Sequence, residues 1–335
     1  MPLGACLFLI YLAGCATSTP PATPSTSPVA TPQSSDGAKV STSLNPIPPS
    51  IRAELSSNEV AAGTLVRVTL HLSGEHEDPK IQTAQATQAA PVYPVTGVTP
   101  AIFVGEFEGI TFPFFTSPDL GPQVFEAVLG IPYERKSGPG VIQVSGASAF
   151  KIPLGITDGH YPSEVLHVDA RRVNPTKKMD LIRIKRDLAE VALIYKRLTP
   201  QKFWTGPFSY PIESAVTSPF GSRRLYNGSL KNYHPGMDLR APMRTPVYSA
   251  AAGIVVLARN LFYTGNTVML DHGYGVITLY AHMTKLKVKK GDLLEKHKLL
   301  GLSGQTGRVS GPHLHWQAVV HHVKVNPIGL TQVMR

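Results

Sequence analysis

From about residue 205 onward, short β-rich runs alternate with glycine-bearing turns: "GIVVLA", "NTVMLDHG", "GVITLYAHM" and "LHWQAVV". This punctuation constrains the fold more than any other feature, and it predicts a β-built C-terminal domain over 205–335. In the last run, His313 and His315 flank a single leucine. A strand alternates its side chains, so both histidines are expected on one face. Eight of the twelve histidines fall between His234 and His322, and that clustering is the main chemical signal in the chain.

Upstream, residues 50–170 also read as strands. "LVRVTLHL" at 65–72 alternates, which predicts Val66, Val68, Leu70 and Leu72 on one face. "AIFVGEF", "VFEAVLGI" and "GVIQVSG" follow, between Gly- and Pro-rich turns. The expected architecture is an N-terminal β-sandwich of immunoglobulin-like type. It contains no catalytic constellation, and His71, His76, His160 and His167 are expected at the surface. Its expected role is positioning, wall binding or contact with a regulatory protein. Residues 174–199 predict a connecting helix, with Asn174 as cap, Pro175 in the first turn and Pro200 beyond the end. Leu181, Ile184, Leu188, Val191, Tyr195 and Leu198 would form its apolar stripe. A chain of 335 residues with 42% hydrophobic content can supply a core for each of two domains.

The only cysteines are Cys6 and Cys15. The folded part therefore has neither a disulfide framework nor a cysteine-ligated metal. "MPLGACLFLIYLAGC" has an apolar run too short to span a bilayer and suited to a secretory signal over 1–15. "LAGC" at 12–15 resembles a bacterial lipobox, although no Lys or Arg precedes the apolar run. That resemblance makes Cys15 the expected lipid anchor, holding the protein on a membrane rather than through it. Ala16 after the cysteine resembles the outer-membrane sorting pattern. The expected location is thus the cell envelope, on the outer membrane and facing the periplasm. Residues 16–49 are rich in Pro, Thr and Ser and are expected to form an extended tether. The net charge of +10 favours an acidic partner, such as a wall polymer or anionic lipid. No basic block with interleaved aromatics is present, which argues against nucleic acid.

Without cysteine, a metal site must use His, Asp or Glu. "HPGMD" places His234 and Asp238 four residues apart. Pro235 and Gly236 argue against a helix there. A straight strand would hold the two residues about 13 Å apart. A bend is required, and Gly236 permits one. His282 ends "LYAH", Asp271 and His272 form "DHG", and "GQTGRVSGPHLHW" leads into the strand of His313 and His315. Imidazole and carboxylate suit zinc, whose catalytic sites take three protein ligands and one water. Other histidines could then take a proton from that water or stabilise an oxyanion. Spacing alone leaves open which histidine does which.

"HPGMD", "LYAH" and "GPHLH", in this order and with "SPFGSRR" and "GNTVMLDHGYGVITLYAHM" around them, resemble the signature of lysostaphin/LytM-type zinc peptidases over about 210–330. The resemblance implies a mostly antiparallel β domain with a central groove and one Zn2+. It implies that His234, Asp238 and His315 bind the metal. His313 would be the general base toward metal-bound water. His282 would orient that water or stabilise the tetrahedral intermediate. The implied substrate is peptidoglycan, cut at peptide bonds of stems or cross-links. Some members of the family have lost ligands and only activate amidases, so a non-hydrolytic wall-binding adaptor or amidase activator is the competing reading; here every ligand position is filled. Arg223 and Tyr226 are further candidates for substrate binding. Asn266 and His272 are expected to fix turns, and His297, His321 and His322 to lie at the surface.

Overall fold

A computed structural model describes residues 50–72, 103–117, 119–166, 175–226 and 229–334. The signal segment, Cys15, the 16–49 tether, His76 and His167 lie outside the described residues. The described chain is mostly β, and no described helix is long and apolar enough to cross a membrane.

The N-terminal part has two sheets. One runs in the order Ile51–Leu55, Leu65–Leu72, Val124–Gly130, Phe115–Thr116, all antiparallel. The other runs Glu59–Ala61, Phe150–Thr157, Gly138–Gly146, Phe103–Phe107, Ile110–Pro113, with one parallel pair at its edge. Val66, Val68 and Leu70 point inward by alternation and meet Phe103, Phe107, Phe112 and Phe150 of the second sheet in one apolar core. Leu65 and Thr69, on the opposite face of the same strand, are buried too. Leu65 belongs to the core of the C-terminal part, so this strand is covered on both sides.

The C-terminal part is built on an eight-stranded sheet. Its path runs Val216–Ser218, Met237–Arg240, His313–Val320, Val276–Met283, Gly265–Gly273, Gly253–Leu261, Leu293–Leu294, with Val323–Val325 pairing off the path. All its pairs are antiparallel. One face carries Leu239, Leu270, Tyr280, Leu314 and Trp316 into the main core. The other carries Met269, Ile277, Leu279 and Val319, which the helix Lys178–Tyr195 covers.

That helix begins at Lys178 and ends at Tyr195, inside the expected 174–199, and Asn174 lies outside the described residues. Its buried positions are Ile184, Asp187 and Ile194, while Leu188 and Leu198 are exposed. The stripe is displaced because a carboxylate occupies it. Asp187 accepts the Phe262 N–H at 2.9 Å and Arg259 Nη2 at 3.0 Å, so the buried charge is fully partnered. These hydrogen bonds, chiefly from Phe262 and Arg259, outweigh burial and lower its pKa.

The two β parts are in contact. Tyr274 stacks on Phe115 at 4.0 Å and donates its hydroxyl to the Thr116 carbonyl at 2.6 Å. A Cβ at Gly130 would sit 3.0–3.3 Å from Val320, Val323 and Val325, a tight fit. His321, expected at the surface, is buried in this seam with its ring 6.0 Å from Phe112. The seam, invisible to local pattern, removes it from water. The strand Ser163–Leu166, inside the span expected for the first domain, pairs in parallel with Arg223–Tyr226 of the second.

Candidate active site

Register brings the site together in a row across four strands. Ser218 pairs with Asp238, Asp238 with His315, and His315 with Ala281. Opposed residues of antiparallel strands share a face. Asp238 and His315 are therefore neighbours although 77 residues apart, with His315 Nδ1 2.9 Å from Asp238 Oδ1. His234 precedes this row by one bend. Its Nε2 lies 3.1 Å from Asp238 Oδ1 and 2.9 Å from His315 Nδ1. Gly236 is needed for space rather than for a left-handed backbone. A Cβ there would sit 2.5 Å from the Trp316 carbonyl oxygen and 2.9 Å from His315 Nε2.

His313 shares the face of His315, as alternation requires, and pairs with Arg240. Its Nε2 is 3.6 Å from Asp238 Oδ1, outside the triangle of donors. It is also the more accessible of the two, with 17% of its side chain exposed against 7% for His315. Its Nδ1 donates to the Gly311 carbonyl at 2.8 Å.

His282 reaches the same place by a different device. Ala281 pairs with His315, so plain alternation would send His282 to the opposite face. Instead the register passes from Val268↔Tyr280 to Asn266↔Met283, setting Ala281 and His282 against Thr267 alone. This bulge re-aims the side chain. The backbone at His282 is left-handed, with φ 63°, a strained conformation for a non-glycine residue. Its N–H is held by the Thr264 carbonyl at 2.9 Å, and its Nδ1 donates to the Thr306 carbonyl at 2.8 Å. The ring centroid then stands 4.9 Å from His313 and 5.9 Å from His315.

Burial pushes the His234 imidazole down to about 4 against the raising effect of Asp238. Burial likewise holds His282 well below the ordinary histidine value, helped by His313 and His315. For Asp238 burial acts upward, but the charge and hydrogen bonds of His234 and His315 together prevail and hold the carboxyl well below its usual range. His234 and His282 are thus favoured as neutral rings beside an ionised Asp238 carboxylate.

Of the other sequence candidates, Arg223 is exposed, and its neighbour Arg224 points inward instead, 2.8 Å from Asp238 Oδ2. The side chain of Tyr226 lies outside the described residues. Asp271 holds the segment after the helix by accepting from Thr199 at 2.7 Å and Arg197 at 3.1 Å. His272 is buried between the Ala252 carbonyl and Thr278, each at 2.7 Å. Asn266 accepts from Asn260 at 2.8 Å, and His297 and His322 are exposed. Of the residues that surround the donors, Ser218 and Arg224 begin and end the "SPFGSRR" run, whereas Glu164 carries no local sequence signal and is brought in by strand pairing. A cavity of about 720 Å³ over Phe203, Lys287, Leu294 and Lys298 shares no lining residue with this site.

Among the described residues, His234, Asp238 and His315 are the group whose donor atoms converge as metal ligands would. Their separations of 2.9–3.1 Å approach the spacing of about 3.3 Å between tetrahedral ligands held about 2.0–2.1 Å from zinc. Two imidazoles and one carboxylate also suit Zn2+ chemically.

Residues 232–327 match the model of peptidase family M23. Over 120 residues the chain is 42% identical to peptidoglycan DD-endopeptidase ShyA of Vibrio cholerae, covering 35% of this chain and 28% of that protein. Over 119 residues it is 35% identical to DD-carboxypeptidase/endopeptidase Mpg of Neisseria meningitidis, covering 36% of this chain and 27% of the relative. The similarity thus spans little more than a quarter of these curated relatives. A crystal structure from Pseudomonas aeruginosa assigned to peptidase M23 superposes with a TM-score of 0.55 at 28% identity, covering 69% of this chain and 88% of the other. The C-terminal part of the chain thus carries a region, residues 232–327, that matches a peptidase M23 domain.

Proposed function

We propose that the protein is a zinc-dependent endopeptidase that hydrolyses peptide bonds in peptidoglycan stems or cross-links. The observation that carries this is the donor triangle of His234, Asp238 and His315 with two further histidines beside it, inside an M23 domain. Relatives named as peptidoglycan DD-endopeptidases support the substrate class. The complete donor set favours hydrolysis over an adaptor role.

His234, Asp238 and His315 would hold the metal. Bound zinc supplies Lewis-acid activation of a water molecule. The remaining chemistry belongs to the chain. A carbonyl oxygen only accepts, so His313 Nδ1 carries the proton given to Gly311, and a neutral ring then has a free lone pair on Nε2. That nitrogen faces the donor set and takes the proton of the attacking water. It later delivers a proton to the leaving amine. His282 has the same arrangement through Thr306, so its neutral Nε2 is an acceptor as well. This favours a role in orienting the water over donation to the oxyanion.

The finer expectations fit this reading. Lipidation at Cys15 and the Pro/Thr/Ser-rich tether would hold the enzyme at the outer membrane within reach of the wall. An immunoglobulin-like sandwich over the N-terminal strands would set its orientation or receive a regulatory protein. The test is digestion of purified peptidoglycan, with and without a chelator, followed by mass spectrometry of the released peptides. Zinc-dependent loss of cross-linked species is expected. Unchanged peptides with zinc bound would overturn the proposal.

A further inference from the structure

Glu164 lies outside the M23 match, on the strand Ser163–Leu166 that precedes the helix. Parallel pairing with Arg223–Tyr226 brings it behind the donor set. Its carboxylate accepts the Ser218 hydroxyl at 2.8 and 3.0 Å and Arg224 Nε at 2.7 Å. Arg224 Nη2 donates to Asp238 Oδ2 at 2.8 Å and to Ser218 Oγ at 3.1 Å. Ser218 Oγ is 3.0 Å from His234 Nδ1.

Proton counting gives these contacts a direction. A carboxylate only accepts, a guanidinium only donates, and a serine has one hydroxyl proton. Ser218 must give that proton to Glu164. Its oxygen is left with lone pairs for Arg224 and His234, so His234 Nδ1 carries a hydrogen. The Pro219 carbonyl, 3.1 Å from the same nitrogen, requires the same tautomer. The lone pair of Nε2 is thereby directed at Asp238 and His315. On the other side, Arg224 engages Oδ2 of Asp238 and leaves Oδ1 to the triangle. Glu164 reaches His234 through Ser218 on the Nδ1 side, opposite the Nε2 that faces Asp238 and His315, so it supports the site rather than blocking it.

We infer that Glu164 is a positioning residue for the metal site: through Ser218 it fixes the His234 tautomer, and through Arg224 it fixes the one-oxygen presentation of Asp238. The zinc affinity of the M23 domain therefore depends on a residue from the preceding strand. The inference rests on the zinc reading above. Outer hydrogen-bond partners of metal ligands typically change affinity by about 10–100-fold.

The test measures zinc affinity of the full chain in detergent by competition with a chromophoric chelator. It compares the unaltered chain, Glu164→Gln, Glu164→Asp and Ser218→Ala, with melting of each metal-free form. Glu164→Gln is expected to weaken zinc about 10–100-fold. Glu164→Asp should recover part of the loss, with little change in metal-free melting. The nitrogen-15 shifts of the His234 ring should report a smaller population of the Nδ1–H tautomer in Ser218→Ala, where the Pro219 carbonyl alone selects it. Glu164→Gln affinity within twofold of the unaltered chain overturns the inference, as does a loss matched by an equal loss of metal-free stability. An unaltered chain that binds no zinc overturns the zinc reading, and this inference with it.

Discussion

The two β parts of the molecule bury different chemistry. The N-terminal core is Phe103, Phe107, Phe112, Phe150 and aliphatic strand residues; among its described residues the buried polar side chains are Thr69, Ser117 and Glu126. The C-terminal part has a comparable apolar core and in addition buries His234, Asp238, His272, His282 and His315. Apolar burial is non-directional and stabilises through area. A buried polar group instead costs free energy unless a partner is placed for it. The first part can therefore lose stability without altered chemistry. The second can lose its chemistry while still folded.

The largest effect on that contrast is expected from Asp238→Ala. It deletes a donor and strips Arg224 of one acceptor. Zinc content and hydrolysis should fall to background, and urea unfolding should show a loss of about 2 kcal/mol. Next, His313→Ala should lower kcat by about 10²–10⁴-fold with zinc content unchanged. Gly236→Ala forces a methyl against Trp316 and His315, so zinc affinity measured by chelator competition should drop about tenfold or more. Phe107→Ala, in the other part, should cost about 3–5 kcal/mol in urea unfolding while kcat per folded molecule holds. A kcat that falls with it would break the comparison.

The smallest effect is a pH dependence of stability. Burial pushes His272 and His321 down to about 4, with His322 adding to the shift at His321. In the unfolded chain both titrate near about 6.5. Below that value the unfolded state binds more protons, so their stabilisation is present above about 6.5 and is lost as pH falls toward 4. His321→Gln should remove its share, seen as a smaller fall of Tm between pH 7 and pH 5.

What could be read from the sequence depended on how local each relation is. Period-two alternation put His313 and His315 on one face, and it put Val66, Val68 and Leu70 in a core. It missed that Leu65 and Thr69 are also buried, because the covering surface belongs to another part of the chain. The pairing of Asp238 with His315 is a register across 77 residues, and no local pattern encodes it. Alternation would have turned His282 away from the site; a bulge and a left-handed residue reverse it. Arg223 and Arg224 are adjacent on a strand and so face opposite ways, which makes choosing between them a matter of register. Glu164 arrives by a parallel pairing 60 residues from Arg224 and left no trace in spacing.

His313 and His315 share a face, and only His315 lies within the donor triangle, so the two should divide the labour of proton transfer and metal binding. Zinc content and hydrolysis measured together on His313→Ala and His315→Ala test it most directly. His313→Ala should retain one zinc per chain and lose hydrolysis, while His315→Ala should lose the zinc. Zinc lost from His313→Ala and retained by His315→Ala would contradict it.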